Sequence, residues 1–249
     1  MYYSSRKKMT LTNKRLRLFC FPYAGGNEYI FRGWEKWLPD FVEVRAVLLP
    51  GRGARINHEP YRELSRLVND LAMERQLFFE RPFAFFGHSM GALISFGLAQ
   101  AVRDRYNIQP AKLFVSGQGA SHLPRKRPPV HDQPAEEIRK VLRELNGTPP
   151  EILENEEMMK LALPLLRADL QVVETYKCDP ATLLDCPIVG FTGTEDADVT
   201  DADMQAWQMH TSGQFTLHTF SGDHFFIKTA EAQVLARLSQ ELMQTMEKC

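Results

Sequence analysis

The pentapeptide Gly87-His88-Ser89-Met90-Gly91 holds one hydroxyl between two glycines. A G-x-S-x-G run arises by chance in chains of this length, so its meaning depends on what flanks it. Here an apolar run, Phe83-Ala84-Phe85-Phe86, enters it and an amphipathic helical pattern leaves it. A strand turning sharply into a helix brings positions 87 and 91 so close to neighbouring backbone that a Cβ would collide. Ser89 then stands at a helix N-terminus, where N–H groups and the helix dipole favour negative charge. The Met90 N–H is a natural donor to an oxyanion forming there. This is the arrangement of a nucleophile in acyl transfer; the bland alternative is a small residue in a tight turn.

A serine hydroxyl attacks only when a base takes its proton, and seven histidines are available. His88 is adjacent to Ser89, and its side chain must point away. His218 falls mid-strand on a polar face, and His58, His122, His131 and His210 fall in loops or helices. His224, in Ser221-Gly222-Asp223-His224-Phe225-Phe226, follows the last predicted strand and precedes the C-terminal helical pattern. That is the loop in which a hydrolase with a parallel sheet carries its base. The order serine, acid, histidine along the chain puts the acid between them. Glu195, Asp196 and Asp198 qualify, all just after a predicted strand. Asp196 is the first choice, as it fits Gly193-x-x-Asp196-x-x-Val199, and Asp198 stays open. A second oxyanion N–H is expected from Phe21-Pro22-Tyr23-Ala24-Gly25-Gly26, the loop after the first strand, with Tyr23 or Ala24 as donor.

These residues need a frame that brings three distant loops together. Leu16–Phe21, Val42–Leu49, Pro82–Gly87, Ala111–Gly117, Pro187–Gly193 and Phe215–Phe220 read as strands, several of them apolar on both faces. Helical patterns lie between them at Tyr61–Glu80, Gly91–Arg105, Asp201–Thr211 and Thr229–Glu247. Strand and helix in alternation predict an α/β fold with a mostly parallel central sheet flanked by helices. From Gly119 to about Asp185 the alternation stops. Asp132 can cap a helix that runs through Leu145 and ends at Gly147, and a second helix runs from about Asn155 to Tyr176, bent at Pro164. The expectation is one domain over 1–249, with a core at about 10–118 and 186–249 and a helical lid insertion at about 119–185, above the sheet edge where α/β folds bind ligands.

Charge is nearly balanced, 30 basic against 31 acidic residues, so neither nucleic acid nor a membrane surface is an expected partner. The 44% hydrophobic content is ordinary for a globular chain. Cys20, Cys178, Cys186 and Cys249 show no metal-ligand spacing, and so few cysteines fit a reducing compartment. No apolar run approaches the roughly 20 residues of a bilayer span, and the expectation is a cytoplasmic protein. Met9 reads as an alternative start. Met158, Met159, Met204 and Met209 fit either an acyl tunnel or ordinary core.

The same stretches resemble a known family: the stand-alone type II thioesterases of non-ribosomal peptide and polyketide synthesis, on the α/β-hydrolase fold. Leu18–Gly26, Leu48–Arg55, Phe85–Ala92 and Gly222–Phe226 look like its opening, second, nucleophile and histidine motifs, while Leu145–Leu153 and Leu163–Tyr176 are similar to its lid. Tyr23 stands where the family often has histidine. The resemblance implies hydrolysis of acyl groups from the phosphopantetheine thiol of acyl- or peptidyl-carrier proteins, with no metal or bound cofactor needed; separately, a monomer is expected. A general carboxylester hydrolase is the nearest alternative, and a non-catalytic binding protein the distant one. Carrier proteins are generally acidic, which marks Arg125, Lys126 and Arg127 at the insertion's start as a candidate docking run. Within the insertion, Arg167 and Asp169 are expected to form an ion pair, with contact to the substrate as the alternative.

Overall fold

The computed structural model describes residues 16–74, 78 and 81–247, so Met9 and the first residues of the expected core lie outside the described residues. Six strands form one parallel sheet: β1 (Leu16–Phe21), β2 (Val42–Ala46), β3 (Phe83–His88), β4 (Lys112–Ser116), β5 (Ile188–Gly193) and β6 (Phe215–Phe220). Their order across the sheet is β2-β1-β3-β4-β5-β6, every neighbouring pair parallel. The chain builds outward from β1 to β2 and then returns to lay β3 on the other side of β1. The order therefore reverses between β1 and β3, and such a switch point opens a crevice at the carboxyl ends of those strands.

Alternation along the strands builds two cores. In β1, Phe19 and Phe21 pack with Leu67, Leu71, Leu93 and Phe96, from helix α1 (Leu64–Ala72) and helix α2 (Met90–Tyr106). Leu16, Leu18 and Cys20 face the opposite layer and meet Val234, Leu235, Leu238 and Leu242 of the C-terminal helix. Strands buried on both faces are predominantly apolar, and in β1 and β3 the polar side chains are confined to Arg17 and His88, both buried.

Three helices stand between β4 and β5: α3 (Ala135–Leu145), α4 (Pro150–Leu153) and α5 (Glu156–Thr175). They carry an apolar cluster of their own, with Ile138, Leu142, Leu153, Met159, Leu166 and Leu170. Asn155 caps α5 by accepting from the Met158 N–H at 3.0 Å. Pro164 lies inside α5, where its missing N–H removes one helical bond. The helix from Asp201 is short, α6 (Asp201–Gln205), and tightens into a 3-10 turn through His210. A single turn, α7 (Phe226–Thr229), precedes the long C-terminal helix α8 (Glu231–Glu247).

Several bounds differ from the sequence expectation. β2 stops at Ala46: Leu48 and Leu49 are buried, but in the loop leading to Gly51, whose φ is +79°. The helix expected from Tyr61 begins at Leu64 and closes at Ala72, and residues 75–77, 79 and 80 of its expected span lie outside the described residues. Helix α3 starts after Pro134 and not with an Asp132 cap, and it closes on Asn146 in the left-handed region, one residue before Gly147.

Candidate active site

Ser89 sits between β3 and α2 with φ 52° and ψ −118°, a conformation that side chains other than glycine's rarely adopt. The turn is tight enough that a Cβ on Gly87 would fall on the Gly91 carbonyl, and one on Gly91 on the Phe21 carbonyl. Packing therefore requires both glycines flanking Ser89. The Ser89 N–H donates to the Ser116 carbonyl at 2.7 Å, tying the elbow to β4. Met90 is the first residue of α2, so its N–H belongs to the set that a helix leaves without an internal acceptor.

His224 leaves the end of β6 and is 7% exposed. Its Nδ1–H donates to Asp196 Oδ2 at 2.8 Å. The other carboxylate oxygen, Oδ1, accepts the backbone N–H groups of Asp198 and Val199 at 2.9 and 3.1 Å. Asp196 is thus held by its own loop in one orientation, and that orientation fixes the His224 ring. The structure brings Asp196, and not Asp198, to the histidine; Asp198 accepts from Arg127 Nε at 2.6 Å. His224 and Ser89 share the wall of one cavity with Tyr23, Ala24 and Phe225.

His88 does point away from this cavity wall, into the protein. Its Nδ1 meets Ser116 Oγ at 2.8 Å, and its Nε2 is buried with no hydrogen-bond partner among the described residues. Burial, aided by the nearby His224, holds it well below the usual imidazole value. With its ring centre 5.4 Å from that of His224, a neutral His88 leaves a positive charge on His224 unopposed. His218, on β6, is instead engaged by α8, pairing at 3.0 Å with Glu241.

The loop after β1 turns on a bond from the Gly26 N–H to the Tyr23 carbonyl, 2.9 Å. Its outer side is gripped by two side chains. Asp169 of α5 accepts the Gly25 N–H at 2.7 Å and Arg52 Nη2 at 2.7 Å, while Arg52 Nη1 donates to the Gly26 carbonyl at 2.8 Å. The expected Arg167–Asp169 ion pair is not formed. Residues two apart on a helix face different sides, and Arg167 instead donates to the His131 carbonyl at 2.6 Å. Arg52 lies in Leu48–Arg55, a stretch the sequence singled out without assigning it a job.

The cavity measures about 240 Å³. Its apolar wall is shared between the core and the inserted helices, with Leu93, Leu123, Leu142, Leu145, Leu170 and Val173. None of the four methionines lines it: Met159 and Met204 are core, Met158 and Met209 exposed. Arg125, Lys126 and Arg127 also line it, but each is engaged. Arg125 donates to the Val173 carbonyl and approaches Glu174, Lys126 pairs with Asp203, and Arg127 with Asp198 and Glu144. Among the described residues there is no cluster of three or more His, Cys, Asp or Glu fit for a metal ion, and no helix long and apolar enough to cross a membrane.

Comparison with known proteins follows the same residues. A thioesterase-domain family model matches residues 16–242. Linear gramicidin dehydrogenase LgrE of Brevibacillus parabrevis is 44% identical over 238 residues, 94% of this chain and 90% of the relative. The solved structure of RedJ, a thioesterase from the prodiginine pathway of Streptomyces coelicolor, is 38% identical and superposes with a TM-score of 0.85, covering 92% of this chain and 91% of that one. BorB, a type II thioesterase from the borrelidin biosynthetic cluster, is 34% identical with a TM-score of 0.85 and covers 97% of both chains.

Proposed function

The chain belongs to the thioesterase family, and we propose that it is a type II editing thioesterase, hydrolysing acyl groups from the phosphopantetheine thiol of carrier proteins in non-ribosomal peptide or polyketide synthesis. The observation that carries this reading is the His224–Asp196 hydrogen bond beside a cavity that Ser89 lines. His224 takes the Ser89 proton as Ser89 Oγ attacks the thioester carbonyl. The Met90 N–H and an N–H of Tyr23 or Ala24 hold the oxyanion, and the pantetheine thiol leaves with the proton from His224. Water, deprotonated by the same imidazole, then attacks the acyl-serine; the carboxylic acid departs and Ser89 regains its proton. Neither half-reaction as written calls on a metal or a bound cofactor. Residues 119–185 act as the lid over the acyl chain, on a single domain working as a monomer.

One relative is named a dehydrogenase, but no Gly-x-Gly-x-x-Gly occurs anywhere in this sequence. The first strand leads into Pro22-Tyr23-Ala24-Gly25-Gly26, where a dinucleotide fold would present those glycines. The run Arg125-Lys126-Arg127 lines the cavity and serves as a docking edge for an acidic carrier.

The test compares matched acyl donors: thioester on carrier protein, thioester on free pantetheine, and the corresponding oxoester. Thioester preference supports the reading, and oxoester preference overturns it in favour of a general esterase. Failure of a fluorophosphonate to label Ser89 removes the enzyme reading altogether. Charge reversal at 125–127 should raise KM for the carrier-bound donor alone.

A further inference from the structure

We infer that Asp169 and Arg52 are positioning residues that set the second oxyanion donor, so that the inserted helix α5 completes the catalytic site as well as covering it. This rests on the reading of a Tyr23 or Ala24 N–H as that donor. A donor stabilises a developing oxyanion only if it is held in place before the reaction, within hydrogen-bond reach of where the charge forms. The turn that carries it contains Gly25, at φ +73°, and Gly26, and so has little stiffness of its own.

The stiffness comes from outside the turn. Asp169 Oδ2 accepts the Gly25 N–H, Arg52 Nη1 donates to the Gly26 carbonyl, and Asp169 Oδ1 joins the two clamps by accepting from Arg52 Nη2. Arg52 Nε is itself anchored on the Pro50 carbonyl at 3.2 Å. The Gly25 and Gly26 N–H groups are both spent in these bonds and the turn's own; those of Tyr23 and Ala24 are not among their donors. Leu166, one helical residue-step before the 167–169 stretch, closes the same side: a Cβ on Gly25 would lie 2.8 Å from its Cδ2.

The pair is 3% and 5% exposed. A buried ion pair contributes little to stability compared with apolar residues of the same volume, and its attested use is to specify one arrangement. Here the arrangement it specifies is that of the oxyanion turn. Leu170, Val173 and Glu174 of the same helix line the cavity. An acyl chain in the cavity therefore leans on the helix that holds the donor, and poor chain fit should be felt in kcat.

Asp169→Asn tests this. Both carboxylate oxygens accept, and an amide has one acceptor, so its NH2 must face either the Gly25 N–H or Arg52. The readout is the inhibition ratio between an octyl-chain trifluoromethyl ketone, which adds Ser89 to form an oxyanion, and the methyl ketone of the same chain, too weak an electrophile to hold the adduct. In the unaltered enzyme the trifluoromethyl ketone should bind far more tightly; no preference there would overturn the oxyanion reading itself. In Asp169→Asn the preference and kcat should both fall about 10- to 100-fold, with methyl-ketone binding and KM within about twofold. A folded variant that keeps the preference, or one that loses both ketones equally, refutes the positioning role. If Asp169→Asn does not melt cooperatively, Arg52→Lys gives the same readout, because it keeps a cation beside the carboxylate while withdrawing the fork that reaches the Gly26 carbonyl.

Discussion

Asp196→Asn separates orientation from charge more sharply than any other change in this site. The amide has the size of the carboxylate, so packing is unaltered. Its orientation is dictated by the backbone: Oδ1 of Asp196 accepts two N–H groups, from Asp198 and Val199. An NH2 placed there would face two donors, so the asparagine oxygen must take that side. Its Nδ2 is then left facing His224 Nδ1, where the carboxylate now accepts at 2.8 Å. Nδ2 donates, Nδ1 becomes the acceptor, and the imidazole proton moves to Nε2, the nitrogen needed to receive the serine proton. A base in the wrong tautomer costs about 10⁴ in kcat in serine hydrolases, which is ~5.5 kcal/mol at about 1.36 kcal/mol per decade. The assay is thiol release from an acyl-pantetheine thioester beside a thermal melt. The expected result is that collapse in kcat with a melt within about 1 °C of the parent, because both loop N–H groups keep their acceptor. Asp198→Asn, which disturbs only the Arg127 pair, should retain activity within about twofold. A loss of less than about tenfold in Asp196→Asn, or an equal loss in Asp198→Asn, would refute the reasoning.

Replacing Ser89 with glycine should abolish turnover and yet stabilise the fold by roughly 1 kcal/mol, since glycine accepts φ 52° without the strain; the melting temperature should rise by about 2–4 °C, and a fall would contradict the strain argument. On the α8 face of the sheet, hydrogen bonds from His218 and then Lys112, resisted by burial, hold the Glu241 carboxyl at about 2. The unfolded chain then binds the extra proton, so this contribution is complete above about pH 4.5 and drains as pH falls toward about 2. Denaturant titrations should find the parent's stability advantage over Glu241→Gln narrowing across that window, and a constant gap would show that the carboxylate contributes nothing through its charge.

The chemistry-bearing loops were legible because a parallel sheet sends every strand's carboxyl end to the same edge. Ser89 after β3 and Asp196 after β5 each follow a run buried on both faces, whereas His224 follows β6, a half-exposed edge strand with alternating polar residues. The turn of Tyr23–Gly26 after β1 was legible for the same reason. The sequence could not tell where burial continues without a ladder: Leu48 and Leu49 carry the same apolar signal as β2 but are buried beneath a loop. Nor could it say which acidic residue of the 195–198 loop turns inward, because that depends on which carboxylate accepts the loop's own N–H groups. The partner of Asp169 lay 117 positions away in Arg52. A nearby opposite charge, Arg167, was the tempting substitute, and helical geometry rules it out. Long-range polar pairs leave no periodic trace, so only the quoted stretch Leu48–Arg55 hinted that something there mattered.

Helix α5 is fastened near its C-terminal half, at Asp169, to the fixed floor of the molecule, whereas the α3–α4 end meets the histidine loop through lighter links. There Asn146 reaches Asp223 at 3.0 Å and Lys228 reaches the Gly147 carbonyl at 3.2 Å, both at exposed positions. A hinge door has the same mechanics: one edge bolted, the other latched. Parting the insertion from the histidine loop beside Phe225 therefore costs two exposed hydrogen bonds, whereas parting it at Asp169 costs a buried ion pair.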